Sequence, residues 1–157
     1  MPPPAASAGT RAATLLVVTV TKGFRHESIP TAERVLQGLA DRSGAFLVDF
    51  ARTEADLTAK MTPTALGAYR GVAFVSTTGD LPLPDRERFL AWVARGHGFV
   101  GVPATADTFH GYPRYLDMLG REFRRHGPET TVALGEKDPD HPATCGIRPG
   151  LSVVDEI

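Results

Sequence analysis

Four short apolar runs constrain this chain more than any other feature. They are Leu15–Val20, Ala45–Phe50, Gly71–Ser76 and Phe99–Val102, and a stretch long enough for a helix separates each from the next. Apolar residues occupy successive positions in them, as in strands buried on both faces. Helical spacing fills the gaps. Ser28 or Ile29 opens a helix with Pro30 in its first turn, and Gly44 ends it. Ile29, Ala32, Val35, Leu36, Leu39 and Ala40 form its apolar stripe. A second helix starts at Pro84, buries Phe89, Leu90, Val93 and Ala94, and stops at Gly96. Short helical pieces broken by Pro63 lie between them. Tyr112–Leu119 reads as a short helix, Thr130–Leu134 as a fifth strand and Leu151–Val154 as the start of one more. The expected class is α/β, a parallel sheet with helices on both faces. Such sheets bind ligands outside the carboxyl ends of their strands.

Composition narrows the class of partner. The chain has 157 residues, enough for one domain with one core. Its net charge is −1 with no basic run, so neither nucleic acid nor an anionic membrane is an expected partner. Cys145 is its one cysteine, which excludes an internal disulfide and a CxxC zinc site. Residues 1–13 are rich in Pro, Ala and Ser and read as a disordered tail. Arg11 precedes the first apolar run, but that run is too short to span a membrane and no small-residue cleavage site follows it. A cytoplasmic protein is expected.

Three polar stretches follow predicted strands and should converge on one edge of the sheet. Residues 21–28, "TKGFRHES", offer Arg25 for an anion and His26 as acid, base or ligand. Helix capping by Glu27 and Ser28 explains the same stretch equally well. Residues 76–80, "STTGD", supply hydroxyls and Asp80, and suit a plain turn better. In residues 101–113, "GVPATADTFHGYP", Asp107 can orient the His110 imidazole; capping of the next helix by Asp107 or Thr108 is the competing account. Asp138, Asp140 and His141 match no standard metal spacing and read as a surface turn. Cys145 sits in a loop and is not read as a nucleophile. The sequence contains no GxSxG, Walker, GxGxxG or HExxH motif.

Taken in order, "VTVTKGFRHESIP", "GVAFVSTTGD", "GFVGVPATADTFHGYPRYLDMLGREF", "DPDHPAT" and "VVDEI" resemble the ThuA-like family, named for trehalose utilisation. The resemblance runs from residue 14 to residue 157. It implies a flavodoxin-like sheet of the kind found in class I glutamine amidotransferases. Those enzymes carry a Cys nucleophile at a strand-to-helix elbow, which here falls at Val102-Pro103-Ala104. Neither Pro nor Ala can attack a carbonyl, so glutaminase chemistry is not expected. Pro103 also stands where the family usually has a His. Family domains usually continue past "DEI", so a C-terminal part is expected to be missing, and unpaired edges would then favour association with a second copy.

The resemblance implies a role in using trehalose or a related disaccharide, with a sugar as the small-molecule ligand. It assigns His26, Asp107 and His110 to catalysis. Arg25, Thr78, Asp80, Thr108, Asp155 and Glu156 are assigned to substrate contact. An enzyme and a non-catalytic sugar- or metabolite-binding module both remain open. So does a divalent metal held by His26, His110 and a carboxylate.

Overall fold

The computed structural model describes residues 12–135, 138, 141–144 and 150–156. Most of the proposed tail, together with Asp140 and Cys145, lies outside them. No helix among them is long and apolar enough to cross a membrane. Contacts divide the chain into two compact units, residues 1–123 and 124–157.

The first unit is built on four parallel strands. β1 (Ala13–Val18), β2 (Phe46–Ala51), β3 (Gly71–Val75) and β4 (Gly98–Val102) lie in the order β2-β1-β3-β4. That order begins the flavodoxin-like pattern and puts the topological switch point between β1 and β3. β1 starts and ends two residues earlier than the apolar run suggests. Thr19 and Val20 are buried just beyond it, because a loop can be as dry as a strand when its neighbours cover it.

Helices cover both faces. Leu16, Val18, Val72 and Phe74 point into the larger core. There they meet residues of α2 (Glu54–Lys60), a short 3-10 turn (Ala65–Ala68), α3 (Arg86–Ala94) and α4 (Pro113–Leu119). Phe74 lies at its centre, stacked on Phe89 at 5.7 Å and edge-on to Phe99 at 5.4 Å. On the opposite face Val17, Ala73 and Val75 meet α1 (Ile29–Ser43) through Ala32 and Leu36. The α1 stripe is narrower than its periodicity suggests. Ile29 and Ala40 are buried, but Val35 and Leu39 are 52% and 44% exposed. α3 begins at Arg86 rather than Pro84, with the Asp85 carboxylate accepting the Arg88 N–H as its cap.

In the second unit β5 (Glu129–Ala133) and β6 (Ser152–Glu156) pair antiparallel as a sheet of their own. Both fall within a residue or two of the expected positions.

Candidate functional site

The carboxyl ends of β1, β3 and β4 release three loops, and these continue side by side. Lys22 N–H donates to Thr78 O at 2.8 Å, Gly79 N–H to Asp107 O at 2.7 Å, and Phe109 N–H to Gly79 O at 3.2 Å. Isolated bridges pair Thr21 with Thr78 and Gly79 with Thr108. The sequence therefore brings the three polar stretches to one edge. The loops after β1 and β3 pair across the switch point, the place where open sheets of this kind bind ligands.

This stitching engages several side chains. Thr78 Oγ1 donates to Phe24 O at 2.8 Å and accepts Gly23 N–H at 3.2 Å. The fully buried Thr108 donates to Thr77 O at 2.9 Å, and its hydroxyl also lies 2.8 Å from that of Thr77. Thr105, a residue the sequence did not single out, ties β3 to β4 by contacts to Phe74 O at 2.9 Å and Val102 O at 2.6 Å. Arg25 donates from Nη1 to Thr19 O at 2.8 Å. Thr19 in turn donates to Glu33 on α1 at 2.9 Å. Asp80 does not fold back on its own turn; it pairs with Arg86 at 2.7 Å, whose guanidinium sits 4.4 Å above the Phe109 ring. His26 lies edge-on to the exposed Phe24 ring at 4.9 Å. Ser28 occupies the N-cap position of α1, yet its side chain makes no capping bond.

The elbow is present without a nucleophile. After β4 the chain turns through Ala104 at φ 75° into a 3-10 turn, Thr105–Asp107. An alanine in the left-handed region is strained. Its methyl can neither attack a carbonyl nor donate a proton.

Beyond the elbow stands the most organised polar group of the first unit. Asp107 Oδ1 lies 2.6 Å from His110 Nε2, and Glu122 Oε1 lies 3.2 Å from His110 Nδ1. The same Glu122 oxygen accepts Gly111 N–H at 2.9 Å. Asp107 and His110 are thus paired as their spacing suggests, and Asp107 does not cap α4, whose N-cap is Tyr112. The Asp107 hydrogen bond holds the His110 pKa above its usual value; partial burial opposes this, and Glu122 adds to the rise. Each ring nitrogen has an acceptor, which is the arrangement an imidazolium requires.

Glu122 carries no signal in the sequence. It comes after α4, and only the left-handed turn at Gly120, φ 79°, returns the chain toward the loop. Asp155 and Glu156 lie in β6 of the second unit, in register with Thr130 and Glu129. Among the described residues no three His, Cys, Asp or Glu side chains converge as metal ligands. The expected combination of His26, His110 and a carboxylate is not among such groups there.

Four parallel strands in flavodoxin-like order, with helices on both faces, define an α/β domain of flavodoxin-like fold. The family model for ThuA, trehalose utilisation, matches residues 14–157, and the chain belongs to that family. Two solved structures of ThuA-like proteins share the fold. One, from Bacteroides uniformis, is 19% identical with a TM-score of 0.64, over 99% of this chain and 62% of its own. The other, from Parabacteroides merdae, is 20% identical with a TM-score of 0.69, over 93% of this chain and 62% of its own. The chain thus spans under two thirds of the length of either structure. No curated protein matches it.

Proposed function

We propose that this domain acts in carbohydrate utilisation on trehalose or a related disaccharide, with Asp107 and His110 as its acid–base pair. The observation that carries the reading is the doubly bonded His110 at the carboxyl edge of the sheet. An imidazole flanked by carboxylates is suited to hold and deliver a proton. His110 is 46% exposed along its side chain, so a ligand can reach it. His26, Arg25 and Asp80 lie on the loops next to it and are assigned to ligand contact. The family model supports the carbohydrate setting at the level of the family. A single cysteine suits a cytoplasmic setting.

The test is turnover of trehalose and related disaccharides by the purified chain and by His110→Gln. The reading expects product from the first and a loss of at least about 100-fold in the second, the usual scale for a general acid or base. Equal rates in the two proteins would remove His110 from the chemistry.

A second reading is a sugar- or metabolite-binding module that catalyses nothing. Ala104 favours it, because the elbow keeps its strained backbone but has no reactive group. Saturable binding with no product after prolonged incubation would select this reading.

A further inference from the structure

Three contacts tie the segment that leaves α4 to the loop that follows the elbow, and a fourth, between Asp107 and His110, lies within that loop. Phe123 N–H donates to Ala106 O at 2.8 Å, Gly111 N–H to Glu122 at 2.9 Å, and His110 bridges Asp107 and Glu122. The charged groups facing the ring are Asp107 from the 3-10 turn and Glu122 from the segment after α4. Its neighbours in the loop, Phe109 and Gly111, carry no charge and are both left-handed, at φ 54° and 67°. The Glu122 side chain is only 11% exposed, so its orientation is fixed by packing as well as by these bonds.

We propose that Glu122 is a positioning residue: with Asp107 it clamps His110 as a double donor, and this clamp reinforces the tie between residues 121–123 and the 104–111 loop in full only while the ring carries both protons. A neutral imidazole has one N–H and one lone pair. Loss of a proton therefore sets a ring lone pair against a carboxylate on one side, and that side of the clamp opens. The direction is fixed by linkage. A His whose folded-state pKa is raised contributes stability that is fully present below its unfolded value and is lost as pH rises through the folded value. Low pH closes the clamp and high pH loosens it. The inference needs no sugar ligand, so it stands or falls separately from the carbohydrate reading.

The experiment is nitrogen-15 NMR of the full chain labelled at histidine, with the His110 ring signals assigned by their absence in His110→Gln. Two protonated ring nitrogens are expected below the titration midpoint, and that midpoint should lie above that of free imidazole. Glu122→Gln keeps an oxygen for Gly111 but removes the charge, so the midpoint should fall; Asp107→Asn should lower it too. Exchange of the Phe123 amide in the unaltered protein should accelerate through that midpoint more steeply than in His110→Gln. A ring that titrates like free imidazole in the unaltered protein would overturn the proposal, whether or not the variants fold. So would a folded Glu122→Gln with an unmoved midpoint, or Phe123 exchange that follows the same pH course with and without His110.

Discussion

Gly79 sets how closely the loops after β1 and β3 approach. It sits at φ 73°, and a Cβ there would lie 3.0 Å from the Lys22 Cβ and 3.1 Å from the Gly23 nitrogen. Backbone cannot yield as a side-chain tip can. Gly79→Ala should cost roughly 1–3 kcal/mol, the scale of local backbone strain. A lower urea midpoint at unchanged slope would show it; an unmoved midpoint would mean the loops have slack. Asp49 offers a second test. Desolvation raises its pKa, but hydrogen bonds from Lys60 at 2.6 Å and Tyr69 at 2.7 Å outweigh that and hold it below the usual value. A depressed carboxylate contributes stability that is present above its unfolded pKa and is lost as pH falls through the folded one. Asp49→Asn should therefore flatten the acid limb of the stability profile and change little in alkali. With its side chain 37% exposed, the effect should stay within about 1 kcal/mol. The Asp107–His110 pair was legible as a short spacing in the sequence, whereas the contact of Asp49 with Tyr69, twenty residues on, was not.

α2 shows how local chemistry sets an element. Thr53 Oγ1 accepts Asp56 N–H at 3.0 Å, and the Asp56 carboxylate accepts Thr53 N–H at 3.0 Å, closing a capping box on a seven-residue helix. Helices this short have little stability of their own. Thr53→Ala should cost about 1 kcal/mol. Thermal melts of the variant and of a Thr53→Ser control, which keeps the hydroxyl, separate the cap from packing. The four apolar runs were legible as strands because they are short, rich in branched and aromatic residues and separated by helix-length stretches; their burial was not, since β3 is buried throughout while Leu47 of β2 and Val100 of β4 are exposed. The extent of the α1 stripe was not. Val35 and Leu39 have the helical spacing of buried residues, but α1 meets this face of the sheet mainly through Ala32 and Leu36.

The division into two units has a consequence for the whole molecule. All four parallel strands and both core clusters belong to residues 1–123. The second unit has a two-stranded sheet, and such a pair is marginal without further packing. A chain ending at Phe123 should keep a single cooperative melt and its helical circular dichroism. Loss of cooperativity would mean that the first unit needs the second in order to fold.

The sequence by itself determined the class of fold, the succession of strands and helices, and the three loops at one edge of the sheet. These follow from hydrophobic period and from turn residues, which act over a few positions along the chain. It also determined that the elbow lacks a nucleophile, since Pro103 and Ala104 have no reactive group. The tertiary structure alone decided that the loops pair across the switch point, that Thr78 and Thr108 turn their hydroxyls inward, and that Glu122 completes the clamp on His110. Each of those contacts joins residues far apart in the chain, and such pairings depend on strand order and helix packing rather than on local spacing.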